Sequence, residues 1–130
     1  MPSRPLNRIL YVEDEEDIRR IARLALERFG KFTVEVVGDP LAAMDAIAAF
    51  GPDLVLLDWM MPGMDGPTLF RRMKEDERTR NLPVVFMTAK ASAVELNELK
   101  QFGAAGTISK PFAPKELPEQ LRAIWEALPD

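Results

Sequence analysis

Glu13, Asp14, Asp58, Thr88 and Lys110 are the residues whose types and placement suggest chemistry. Each follows a short segment that reads as a strand: Glu13 and Asp14 after the apolar run Ile9–Val12, Asp58 after Leu54–Leu57, Thr88 after Pro83–Met87, and Lys110 after the short strand Gly106–Ser109. Short apolar runs bounded by turn residues fit strands buried on both faces. In a parallel sheet the carboxyl ends of all strands lie on one edge, where open α/β sheets place their ligands. Three acids, a hydroxyl and an amine would converge there. Two unit charges ~4 Å apart repel by roughly 1 kcal/mol in water and about 4 kcal/mol at an effective dielectric of 20. A single lysine does not offset three carboxylates. A hard divalent cation with oxygen ligands, most commonly Mg2+, is the natural complement. Mg2+ usually takes one or two carboxylates, waters and a phosphate oxygen, which points to phosphoryl chemistry with Asp58 as a carboxylate nucleophile. The cation would neutralise developing charge. Lys110 would pair with one phosphoryl oxygen, and the Thr88 hydroxyl would donate to another.

The elements that must position these groups read as strand and helix in alternation, five times over, with no repeat, low-complexity tract or linker. Ile18, Ile21, Ala22, Ala25 and Phe29 recur at helical spacing and stop at Gly30, a C-terminal cap. The acids from Glu13 to Asp17 suit the start of that helix, where the macrodipole favours negative charge. Phe32–Val37 reads as a second strand, and Leu41–Phe50 as a short Ala-rich helix ending at Gly51. Pro62, Gly63 and Gly66 stop the third strand, and Pro67 suits the first turn of a third helix that turns Leu69, Phe70 and Met73 inward. Residues 75–81 form a charged loop. Ser92 with Glu95 reads as a capping box opening a fourth helix, which ends near Phe102 and Gly103. In the last helix Leu117, Leu121, Ile124, Trp125 and Leu128 form an apolar stripe. Pro118 cannot donate a backbone bond inside a helix, so the turn from Pro114 to Leu117 is predicted to be irregular, with the regular helix starting near Pro118. Met1–Leu6, with two prolines, is predicted to be a loose arm. The alternation predicts an α/β fold, a parallel sheet covered on both faces.

Composition narrows the function. A chain of 130 residues suits one domain with a real core. The net charge of −4 argues against bulk attraction to nucleic acid. No apolar run approaches a membrane span, and no secretory signal or cysteine is present, so a cytoplasmic location is expected. The absence of histidine excludes an internal His base, a His phosphocarrier and the usual His-containing metal site.

Each polar position also has a purely structural reading. Glu13 and Asp14 could cap the first helix, Asp58 could open a Pro-Gly turn, Thr88 could cap the next helix, and Lys110 could be a solvated loop residue. Met60, Met61 and Met64 read as packing filler, and Arg19, Arg20, Arg23 and Arg28 as a solvated face. The convergence of five positions on one sheet edge is what favours a site.

From about Arg8 to Leu128 the chain resembles the receiver domain of two-component response regulators, in its stand-alone, CheY-like form. The resemblance rests on Val-Glu-Asp-Glu at 12–15, Leu-Leu-Asp-Trp-Met-Met-Pro-Gly-Met-Asp-Gly at 56–66, Met-Thr-Ala at 87–89 and Lys-Pro-Phe at 110–112. It implies a doubly wound, flavodoxin-like, five-stranded parallel sheet of order 2-1-3-4-5 with five helices. It implies that Asp58 accepts a phosphoryl group from a sensor histidine kinase or a histidine phosphotransfer protein. Asp14, Asp58 and the Met60 backbone carbonyl would bind Mg2+, with Glu13 acting directly or through water. Lys110 and Thr88 would hold phosphoryl oxygens, and the Lys110–Pro111 bond would be cis. The protein would be a signalling switch and not an enzyme on external substrates. It would work as a monomer or a phosphorylation-dependent dimer, and its downstream partner would meet the face of helix four, strand five and helix five.

Four positions bear on how closely the chain follows the family pattern. Thr107 stands where an aromatic is usual, Glu13 replaces the commoner Asp, and Met60 and Lys90 flank the site where dephosphorylation is tuned. Thr107 keeps open a second reading, a degenerate receiver that binds partners without phosphorylation. An Asp-nucleophile phosphatase would want a carboxylate at position 60 and has Met60 instead. A flavin-binding protein would want a Gly/Ser/Thr-rich phosphate loop after the first strand, and none follows.

Overall fold

The computed structural model describes residues 2–89 and 93–129. The proposed capping residue Ser92 and the flanking Lys90 lie outside the described residues. Five strands, β1 (Arg8–Val12), β2 (Thr33–Val37), β3 (Leu54–Asp58), β4 (Val84–Thr88) and β5 (Gly106–Ser109), form one parallel sheet in the order β2-β1-β3-β4-β5. Five α-helices alternate with them: α1 (Glu16–Leu24), α2 (Ala43–Phe50), α3 (Gly66–Glu75), α4 (Ala93–Phe102) and α5 (Leu117–Ala127). Class, strand order and helix number are as the sequence and its resemblance imply.

The sheet divides the core into two layers. On one face Ile9, Tyr11, Leu56, Met87 and Ile108 meet Ala22 of α1 and Leu121 and Trp125 of α5. On the other, Leu10, Val55, Leu57 and Phe86 meet Ile47 of α2, Leu69, Phe70 and Met73 of α3, and Leu99 of α4. Every residue of β3 and β4 is buried, as unbroken apolar runs in a doubly covered sheet require. Phe86 packs edge-on to Trp59 at 5.5 Å and to Phe70 at 5.4 Å, which steadies the backbone just after Asp58.

The helix after β1 differs from expectation at its end. Ala25–Phe29 winds as a wide π-type turn, and Gly30 N–H reaches back to the Ala25 carbonyl at 3.3 Å. The inserted residue rotates the stripe. Leu26 is buried, whereas Phe29 is 50% exposed and does not join the core as the spacing suggests; Ile21, which precedes the wide turn, is also 47% exposed and stays outside the core. Gly30 itself keeps a right-handed conformation, and the positive φ falls on Lys31. Glycine is needed at 30 because an added Cβ would lie 2.6 Å from the Phe32 ring and 2.7 Å from the Leu26 carbonyl oxygen.

The start of the last helix matches its prediction. Residues 114–116 form a turn, α5 begins at Leu117, and Pro118 sits in the first helical turn, where its missing N–H costs nothing. The Lys110–Pro111 peptide is cis. The arm predicted to be loose is in contact with the domain. Leu6 is buried, Arg4 pairs with Asp53 at 2.8 Å, and the Trp125 indole donates to the Arg4 carbonyl at 2.9 Å. Asp53, itself buried, also accepts from the Asn7 and Arg8 amides at 3.0 and 2.8 Å. These partners were not legible as a set, because they are brought together only by the sheet.

Gly66, the first residue of α3, is forced by proximity. Its Cβ would stand 2.3 Å from the Asp58 carbonyl oxygen, a backbone atom that cannot move without distorting the end of β3. Gly66→Ala is expected to destabilise the domain by about 2–3 kcal/mol, measured by urea unfolding. A loss below ~0.5 kcal/mol would show that the loop yields easily.

Candidate functional site

Sheet register sets the site. Val12 stands beside Leu57, so the residues that follow, Glu13 and Asp58, are neighbours across the sheet edge. The Glu13 amide bonds the Val37 carbonyl at 3.0 Å and the Trp59 amide bonds the Met87 carbonyl at 2.9 Å, so both chain ends stay in line past their strands. Thr88 closes β4 next to Ser109 of β5, and the Lys110 amide donates to the Thr88 carbonyl at 2.9 Å.

Four of the five sequence-predicted residues meet directly at this edge. Glu13 is fully buried, Asp58 and Thr88 are buried, and Asp14 is half-buried. One carboxylate oxygen each from Glu13, Asp14 and Asp58 lies within 4.8 Å of the others. Lys110 Nζ donates to both Glu13 oxygens, at 3.2 and 3.3 Å, and to Asp58 Oδ1 at 3.0 Å. Thr88 occupies the same edge, one strand away from Asp58.

The donor set suits a hard cation. Octahedral Mg2+ with oxygens at ~2.1 Å sets adjacent ligands about 3.0 Å apart and opposite ones about 4.2 Å apart, so carboxylates this close are on the scale that one ion can draw together. The arrangement can hold a divalent metal beside the Asp58 oxygen. Separate surroundings for the acids would have excluded this, and the acids share one.

The electrostatics record the crowding. Burial first, and then the Asp58 carboxylate, push Glu13 up to about 7, against the opposing pull of Lys110. Burial alone would lower the Lys110 ammonium, but its bond to Asp58 and the charge of Glu13 outweigh it and raise the group. Burial, followed by the Glu13 charge, raises the Tyr11 phenol far above its ordinary range, so it remains a donor.

A pH dependence follows. Glu13 ionises near 4.5 when unperturbed and near 7 in the fold, so between those values the folded state binds more protons and loses stability as pH rises. The metal-free domain is expected to lose on the order of 1–3 kcal/mol between about pH 5.5 and 8, and Glu13→Gln should flatten that slope. Thermal unfolding across the window checks this; a midpoint that rises with pH would contradict it.

Two residues at the site escaped the sequence. Arg19, assigned to a solvated face, donates one N–H group's hydrogens to the Glu13 and Asp14 carbonyls at 2.8 and 2.9 Å. It lies over Gly38, where an added Cβ would come 2.6 Å from its guanidinium. Arg20 and Arg23 do form exposed pairs with Glu16 and Glu27. Tyr11, buried, donates to Glu13 Oε2 at 3.3 Å. Its position two residues before Glu13 in a strand, hence on the same face, was the available signal.

Beyond β3, Met61 and Met64 are buried filler as expected, but Met60 is 76% exposed. Met60 lines an open cleft of about 740 Å³ with Pro62, Gly63, Asp65 and Arg72. The Asp65 carboxylate caps α3 by accepting from the Thr68 amide at 2.8 Å. Thr107 stands beside Phe86 in the sheet and opens into a groove of about 550 Å³ shared with Val94, Leu96 and Lys100 of α4.

Comparison with known proteins agrees with this fold. The model of the response regulator receiver domain matches residues 9–122. The chain is 40% identical over 116 residues to the phosphate regulon transcriptional regulatory protein PhoB of Pseudomonas aeruginosa, covering 89% of this chain and 50% of that protein. It thus spans about half the length of such curated relatives. It is 36% identical over 121 residues to the chemotaxis protein CheY-3 of Vibrio cholerae, covering 93% of each. The solved structure of Vibrio cholerae chemotaxis protein CheY4 superposes with a TM-score of 0.83 at 26% identity, covering 92% of this chain and 98% of that one. Among the described residues, no helix is long and apolar enough to cross a membrane.

Proposed function

Since the chain belongs to the response regulator receiver domain family of two-component signalling, we propose that Asp58 is its phosphoacceptor and that Mg2+ assists the transfer. The observation that carries this reading is the meeting of Glu13, Asp14 and Asp58 around a space fit for one ion, with Lys110 bonded to Asp58. Bound Mg2+ would supply positive charge to the transferring phosphoryl group. Asp14, Asp58 and the Met60 carbonyl would hold it, with Glu13 direct or through water. An Asp58 oxygen attacks phosphorus, forming an acyl phosphate as the bond to the donor nitrogen breaks. Lys110 leaves Glu13 to neutralise a phosphoryl oxygen, and the Thr88 hydroxyl donates to another.

Membership of the receiver family points to a phosphohistidine on a kinase or a phosphotransfer protein as the donor, and it must lie on another molecule, because this sequence contains no histidine. Phosphorylation then switches partner binding on the face of α4, β5 and α5. With Thr107 in place of an aromatic, a shift of α4 would carry the change. The relatives' names span transcriptional regulation and chemotaxis; the receiver is what they share with this chain.

Incubation with acetyl phosphate and Mg2+, read by intact mass, tests the reading. One added phosphoryl group, absent when EDTA is present, is the expected result. An unmodified mass with both acetyl phosphate and a cognate phosphohistidine donor would favour the second reading, an interaction module with a silent site, to which Thr107 lends support.

A further inference from the structure

We propose that the Tyr11 hydroxyl is a positioning group that presents the Glu13 carboxylate to the cation, an inference that rests on the metal-assisted reading of the site. Tyr11 is 0% exposed, and its ring packs in the apolar layer with Ile9, Ala22, Leu26 and Met87. A phenylalanine would fill that volume equally well. The hydroxyl instead reaches the strand edge and donates to Glu13 Oε2 at 3.3 Å.

Glu13 is held from two sides. Tyr11 grips Oε2 from the core, and Lys110 spans both oxygens at 3.2 and 3.3 Å. When Lys110 turns to a phosphoryl oxygen, the phenol is the tie that stays. With Oε2 held, Oε1 is the oxygen free to face an ion shared with Asp14 and Asp58. The pairing depends on side-chain length, because Glu13 has one methylene more than aspartate. A shorter carboxylate at 13 draws back toward its own backbone and away from the phenol. Tyr11 and Glu13 thus act as a unit, in which the tyrosine offsets the freedom of the longer acid. Partners that orient a ligand in this way commonly change metal affinity tenfold or more.

The test is a double-mutant cycle on Mg2+ affinity, by calorimetry and by Trp59 fluorescence, with circular dichroism to confirm folding. Tyr11→Phe is expected to weaken Mg2+ binding about 10-fold. In a Glu13→Asp background the same change should shift affinity less than about 2-fold, since the pair no longer meets. Unchanged affinity in Tyr11→Phe overturns the proposal, as does an equal loss in both backgrounds, which would mean that Tyr11 acts only through packing. Failure of the unaltered protein to bind Mg2+ would overturn the metal reading and this inference with it, and so is distinguishable from either.

Discussion

Replacing Asp58 with asparagine is expected to abolish phosphoryl incorporation while leaving the fold intact and, without metal, more stable. The amide has no anionic oxygen to attack phosphorus, and among the described residues the one other acid bonded to Lys110 is Glu13, which is buried and raised to about 7. Stability should rise because Asp58 is, after burial, the main reason that Glu13 resists ionisation. With Asp58 neutral, Glu13 keeps Lys110 as a partner and loses its repulsive neighbour. The gain expected at about pH 8 is on the order of 1–2 kcal/mol, shrinking toward pH 6, where Glu13 of the unaltered protein is mostly protonated and the repulsion is already relieved. Mass spectrometry after exposure to acetyl phosphate and thermal unfolding in EDTA check the two halves. Residual labelling equal to the unaltered protein would place the phosphoacceptor elsewhere, and a lower melting point would show that the Lys110–Asp58 bond outweighs the acid repulsion.

Lys110→Ala should have the opposite effect on stability. Lys110 is the one cation paired with both the Glu13 and Asp58 carboxylates among the described residues, and its side chain is only 16% exposed. Removing one partner of a buried ion pair typically costs about 3–5 kcal/mol, but Glu13 can take up a proton and blunt the loss. About 2–3 kcal/mol at pH 8, or roughly 10 °C in melting temperature, is therefore expected, with a smaller loss near pH 6. Mg2+ should restore more stability to this variant than to the unaltered protein, because it replaces missing positive charge among the same carboxylates. Phosphorylation should fall as well, since the phosphoryl group loses its fixed cation. Equal Mg2+ stabilisation of both proteins would mean that the cation does not sit among these acids.

Much of this site was legible because strand ends in a parallel sheet are a geometric constraint. Once Leu54–Leu57 reads as a buried strand, Asp58 must lie at the ligand-bearing edge, and the same reasoning places Glu13, Thr88 and Lys110. Pro118 likewise announced the late start of α5. What stayed hidden were partners chosen by tertiary structure. Arg19 looks like its neighbours Arg20 and Arg23, and only the fold puts Gly38 beneath it. Phe29 fits an apolar stripe until a π-type turn rotates it outward, a change of one backbone bond that no spacing rule detects. Asp53 gave no sign that the arm before β1 would fold back onto it. Order of the strands came from resemblance, since periodicity fixes which segments are strands and leaves their sequence across the sheet open.

The most direct measurement is a calorimetric titration of Mg2+ into the unphosphorylated protein at neutral pH, repeated in two buffers of different ionisation enthalpy. One ion per chain should bind, with release of part of a proton because Glu13 sits near 7 before the cation arrives, and Asp58→Asn should abolish or sharply weaken the binding. Heat that is absent, or identical in the Asp58→Asn protein, would contradict the shared site on which the proposed phosphoryl chemistry rests.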